Sequence, residues 1–116
     1  IPYTGYSTTK AYMEKNEDII QKFTNALYKA MIWVQNSTTE EIAEAVKPQF
    51  PDTDDDILIT LVDRYRDQNS WKPDLLITEE GLNHMMDIME LAGELEKRAD
   101  YDKIVNTKFV ENAMKK

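Results

Sequence analysis

The 116-residue chain carries 22 Asp and Glu against 14 Lys and Arg, a formal net charge of −8, and 41% of it is hydrophobic, which fits one packed domain and means that disorder is not the default. Three glycines and four prolines are too few for the tight turns of an all-β sandwich or barrel. The lack of cysteine excludes a disulfide framework, a thiolate metal site and a cysteine nucleophile, and the acid excess without a basic stripe argues against nucleic acid and anionic membranes as partners.

In chain order, residues 1–8 (Ile-Pro-Tyr-Thr-Gly-Tyr-Ser-Thr) read as a strand entered in mid-course, rich in β-branched, aromatic and hydroxyl residues. A lone strand needs a neighbour, and Ile1 is not an initiator Met, so the expectation is a fragment of a larger protein whose sheet lies elsewhere. No basic stretch with an apolar core marks a signal peptide, and no apolar run has the ~18–20 residues that span a bilayer.

From Thr9 the pattern turns helical. A short helix runs to Lys15, and Asn16 is expected to cap a long helix opened by Glu17 and Asp18, acids suited to the unpaired N–H groups of a helix N-terminus. Its apolar stripe is Ile19, Ile20, Phe23, Ala26, Leu27, Ala30, Met31 and Val34, and Asn36-Ser37 ends it. Thr38 with Glu41 forms a capping box for a helix burying Ile42, Ala43 and Val46 before Pro48. Residues 48–51 form a rigid connector. Thr53 with Asp56 is expected to cap the next helix, with Ile57, Leu58, Leu61, Val62 and Tyr65 inward and Asn69-Ser70 as its stop. Trp71 to Ile77 reads as extended. Thr78 caps a helix carrying Leu82, Met85, Met86, Met89 and Ala92, with Gly93 as its C′ residue. A turn at Tyr101 to Val105 and a helix from Asn106 to Met114 complete a mainly α chain of five to six helices after one N-terminal strand.

Few residues point to chemistry. Asp52, Asp54 and Asp56 mimic the first ligands of a calcium loop, but Ile57 stands where that loop needs glycine and Asp63 where it needs glutamate. Acids at a helix N-terminus explain the run better. His84, the single histidine, has no partner with which to form a dyad or metal set. Glu40 with Glu44 and Glu90 with Glu94 read as solvated faces, the methionines at 85, 86 and 89 as packing at inward spacing, and Trp33 and Trp71 as packing residues. Trp71 has a second reading, since it precedes Pro73 in a non-helical segment from which an aromatic can project into a cleft. No catalytic constellation or cofactor motif is present, so no enzyme and no cofactor is indicated.

The order of segments is more telling. Residues 2–8, then Tyr12-Met13-Glu14-Lys15-Asn16, then Ile20 through Trp33 resemble the final third of ABC-importer solute-binding proteins of the nitrate, sulfonate, taurine and thiamine-pyrimidine-precursor type. Trp71-Lys72-Pro73-Asp74, Ile77-Thr78-Glu79-Glu80-Gly81, Leu91-Ala92-Gly93-Glu94-Leu95 and Tyr101-Asp102-Lys103-Ile104-Val105 followed by Phe109 are similar to that family's tail. Glu17 stands where the family usually has proline. The resemblance implies the helical C-terminal segment of a two-lobed α/β periplasmic-binding-protein-like type II fold, with residues 1–8 a hinge strand and 9–116 helices covering a first-lobe sheet that is not in this chain. It implies an extracytoplasmic protein, periplasmic or lipid-anchored as a lipoprotein, that closes over a small solute and docks on an ABC permease. The partners it implies are the remaining N-terminal part, the permease and, in the full protein only, the solute. Ligand-contact candidates are Tyr3, Thr4 and Tyr6, where alternate side chains of the strand face the cleft unless they pack against the helices, and Trp71. Without its sheet such a piece leaves an apolar face, for example Phe23, Leu27 and Met31, and self-association through it is expected. A free-standing acidic helical interaction module is the alternative reading.

Overall fold

The computed structural model describes residues 4–115. Among them are seven α-helices: α1 (Lys10–Lys15), α2 (Glu17–Asn36), α3 (Thr39–Val46), α4 (Asp55–Asp67), α5 (Glu79–Leu91), α6 (Tyr101–Ile104) and α7 (Lys108–Met114), with a 3-10 turn at Lys47–Gln49. The mainly α class stands. No strand occurs among the described residues, so Thr4 to Thr8 are unpaired backbone: a strand exists only as part of a ladder. The chain divides into two compact units, one formed by residues up to Asn25 and from Leu75 on, the other by Ala26–Asp74.

In the second unit α3 packs on α4. Thr38 caps α3 as its sequence requires, its hydroxyl accepting from the Glu41 N–H at 3.2 Å while the Glu41 carboxylate accepts from the Thr38 N–H at 2.8 Å. The core is Ile42, Ala43, Leu58 and Val62, with Val34, Val46 and Ile59 packed around it. Thus α4 buries only Leu58 and Val62 of its expected inward stripe, and Ile57, Leu61 and Tyr65 are exposed. The stripe is wider than the single helix it packs against. The expected Thr53 cap is not formed: Asp54 is the N-cap residue, without a side-chain bond. The Lys47 ammonium fixes that corner instead, donating to the Thr53 carbonyl and pairing with Asp55 at 2.6 Å.

Helices α4 and α5 end in the same way. Asn69 (φ 50°) and Gly93 (φ 74°) adopt left-handed backbone. The Asn69 N–H reaches the Arg66 carbonyl and the Ser70 N–H the Tyr65 carbonyl, as Gly93 reaches Glu90 and Glu94 reaches Met89. This is the paired-bond termination that glycine and asparagine favour.

In the first unit Leu82, Met86, Phe109 and Ala113 are buried. A polar link holds α7: the Gln21 side-chain amide donates to the Phe109 carbonyl (2.9 Å) and accepts from the Asn112 amide (3.1 Å), while Lys108 pairs with Glu17 (2.8 Å). Here α2 turns inward through Ile20, Gln21, Thr24 and Asn25, leaving Ile19 and Phe23 exposed. The predicted stripe spans roughly 140° of the helix at 100° per residue; Ile20 lies at its edge and Gln21 and Asn25 beyond it, so the polar link from Gln21 to α7 turns the buried side away from the stripe's centre. Asn16 stands at both ends: its carbonyl accepts the Ile20 N–H at 3.1 Å, opening α2 as expected, while its side-chain amide donates back to the Tyr12 carbonyl and closes α1. The expected turn at Tyr101 is the four-residue α6, anchored by the Tyr101 hydroxyl on the Ile77 carbonyl at 2.6 Å.

The segment after α5 is held by Arg98, which binds both Asp87 and Glu90. Its hydrogen bond holds the Glu90 carboxyl below the usual carboxylate range. A depressed carboxyl stabilises the folded state above its unfolded value and loses that contribution as pH falls through its folded value. Glu90→Gln is therefore expected to lower Tm slightly at neutral pH, with the difference closing in acid and at high salt. A pH series of thermal melts checks this, and a gap that widens in acid would exclude the pair as a contributor.

Candidate functional site

The Schellman-type end of α4 turns the chain sharply at Asn69, and this brings Trp71 back onto Tyr65. The two rings stack with centroids 5.9 Å apart and planes 14° from parallel. Beside them Val34, Gln35, Arg66 and Asn69 complete a cleft of about 140 Å³. Arg66 is fixed by donating to the Ser37 carbonyl (3.0 Å) and the Thr39 hydroxyl (3.3 Å), and that hydroxyl donates to Asp63. Gln35 donates to the Lys72 carbonyl at 3.1 Å, tying the segment after α4 to α2. An aromatic wall, a guanidinium and two amides can hold a small planar or polar group. The six lining side chains supply no nucleophile with a base beside it.

Of the sequence-derived candidates, Trp71 lines this cleft. Tyr3 lies outside the described residues. Thr4 is exposed, and Tyr6, 77% exposed, touches the Phe23 ring edge-on at 4.9 Å; both belong to the other unit. Tyr65 and Arg66 were legible only in part. Tyr65 reads as an inward residue by spacing, and Arg66 carries no signal without knowledge that α3 starts beside it. His84 is exposed in an open groove on α5 with Glu79, Glu80, Asn83 and Asp87. Among the described residues no three His, Cys, Asp or Glu are placed to hold a metal ion. Met86 is buried and Met85 and Met89 are half-buried, as packing residues are.

No family model matches the chain, and no solved structure matches it. Over 111 residues it is 40% identical to a Bacillus subtilis (strain 168) protein named "Putative binding protein YtlA", a match covering 96% of this chain and 33% of that protein. The chain thus spans about a third of the length of the curated relative it matches. This corrects the family drawn from the motifs: the likeness is to part of a protein named only as a binding protein, and assignment to the nitrate, sulfonate, taurine and thiamine-precursor type is withdrawn. What the similarity supports is a binding role.

Proposed function

We propose that the chain is the helical part of a longer, non-catalytic binding protein that captures a small solute outside the cytoplasm and hands it to an ABC import permease. The observation that supports the binding role is the 40% identity over nearly all of the chain to a third of the protein named "Putative binding protein YtlA". The composition agrees with it. An acidic chain without a basic stripe is a poor ligand for polyphosphate, and among the described residues no helix is long and apolar enough to cross a membrane. Most solute contacts are assigned to the part of the protein not represented here: the Trp71 cleft of about 140 Å³ is small beside the pockets of ~300 Å³ and more that enclose typical small ligands, and the groove beside His84, about 480 Å³, is open and has no aromatic or aliphatic wall to bury one.

A thermal-shift screen of the intact longer protein tests the reading. One chemical class of solute should raise its Tm, by about 2.7 kcal/mol of added stability at a hundredfold excess over Kd. The 116-residue chain alone should stay silent in the same screen. Tight solute binding by that chain alone, or a flat screen of the intact protein together with unimpaired uptake on its deletion, would overturn it.

A further inference from the structure

Arg66 is left without a counter-charge by the unit that holds it. The residue is half-buried, and its Nη1 is spent on two neutral acceptors, the Ser37 carbonyl and the Thr39 hydroxyl. A guanidinium drawn out of water is ordinarily paired with a carboxylate, and a chain with 22 acids has many to offer. Arg66 belongs to none of the ion pairs among the described residues, and its bonds lead to a carboxylate, that of Asp63, only through the Thr39 hydroxyl. Nε and Nη2, the two donors along one edge of the guanidinium, donate to no group among the described residues, and neither does the Asn69 carboxamide. Arg98 shows what that edge takes in this same chain: its Nε and Nη2 hold the two oxygens of Glu90 at 3.0 and 2.8 Å.

Arg66 lines the cleft of about 140 Å³ together with Tyr65 and Trp71. An apolar cavity of about 150 Å³ holds one benzene molecule, so the cleft has room for a single ring. Its indole lies 14° from parallel to the Tyr65 ring, and Gln35 secures the carbonyl of the next residue, Lys72, so the aromatic wall is set before any ligand arrives. We infer that this cleft binds a monocyclic aromatic carboxylate, with the ring on the face of Trp71 and the carboxylate on the open edge of Arg66, whose parallel donors match its two oxygens. The inference goes beyond the import reading and does not rest on it, because the site lies wholly within the second unit of this chain. One ring face and one solvent-accessible ion pair give a Kd on the order of 1 mM. A thermal-shift screen run far below that concentration stays silent on the chain, as the import reading requires.

The test titrates the nitrogen-labelled 116-residue chain with benzoate and follows it by two-dimensional NMR. The indole N–H of Trp71 and the side-chain amide of Asn69 should move along one saturable curve, while the indole of Trp33, which does not line the cleft, stays in place. Benzamide, of the same shape without the charge, should bind about tenfold more weakly, and cyclohexanecarboxylate, which keeps the charge without the flat ring, about fivefold more weakly. Arg66→Lys keeps a positive charge and loses the paired donors, so it should weaken benzoate about tenfold and leave benzamide unchanged. Shifts that do not saturate, or that move Trp33 equally, overturn the inference. Equal affinity for benzamide overturns it by removing the guanidinium from recognition, and equal affinity for cyclohexanecarboxylate by removing the ring. If Arg66→Lys does not fold, because the bonds to Ser37 and Thr39 go with it, Trp71→Leu decides. That change leaves the Arg66 bonds in place and should abolish the preference for benzoate over cyclohexanecarboxylate, read at the Asn69 amide; a retained preference refutes the site. The two readings fail separately: a flat solute screen of the intact longer protein touches only the import reading, and an absent benzoate site touches only this one.

Discussion

Leu58→Ala is expected to cost about 3 kcal/mol of unfolding free energy, enough to consume a large share of the stability of a small helical unit. The size follows from where the side chain sits. The second unit is built around Ile42, Ala43, Leu58 and Val62, so removing three carbons from Leu58 leaves a cavity that no other core residue is large enough to refill. Urea denaturation followed by circular dichroism measures the loss. The neighbouring Ile57→Ala is the decisive comparison: one residue away on the same helix but 52% exposed, it should change the stability of the 116-residue chain by less than about 0.5 kcal/mol. Equal costs for the two would mean that the buried side of α4 is misassigned.

Phe109→Ala is expected to be as damaging in the first unit, at about 3–4 kcal/mol. Helix α7 has seven residues, far fewer than a helix needs to persist in water by itself. It is held by the burial of Phe109 and Ala113 and by the bonds from Gln21 and Glu17 to Phe109, Asn112 and Lys108. Without the ring these polar contacts join two helices that share little apolar contact, and exposed or half-exposed pairs of this kind contribute little alone. Amide exchange over 108–114 should therefore rise to nearly the unprotected rate in the variant. Gln21→Ala, which removes the two hydrogen bonds to α7 and a third to Asn25 but leaves the ring in place, should cost about 1–2 kcal/mol. Retained protection of α7 in Phe109→Ala would place its anchorage elsewhere.

What the sequence made legible is what local chemistry decides. The Thr38–Glu41 box, the Thr78 cap with its hydroxyl accepting from the Gly81 N–H at 3.1 Å, and Gly93 as the C′ residue are satisfied within a few residues of themselves, so no knowledge of the remaining chain is needed. Asn16 shows the limit of that logic. It stands at the N-cap position of α2, its carbonyl accepting the Ile20 N–H, but the side chain turns back to α1, its NH2 group donating to the Tyr12 carbonyl, because the same residue also terminates that helix. The burial of α2 and α4 is decided by which neighbour arrives: α4 spends only part of its apolar arc on α3, and the first half of α2 is turned by the Gln21 link to α7 onto a flank its apolar period does not mark. The cleft was half legible. Trp71 stands out as an aromatic in an irregular segment, whereas its partner Tyr65 is disguised by helical spacing and only the turn at Asn69 joins them. The family suggested by the motif order did not survive comparison, because degenerate motifs spread along a chain record helix lengths and junctions as much as descent.

Position 93 carries one further consequence. A methyl group built on Gly93 would meet nothing within 4 Å, yet the backbone there has φ +74°. What the site refuses is handedness and not bulk. An L-alanine would be penalised by its own main chain in open space, whereas the mirror-image residue would adopt that dihedral without strain and, by narrowing the choices of the unfolded chain, would leave the end of α5 firmer than glycine does.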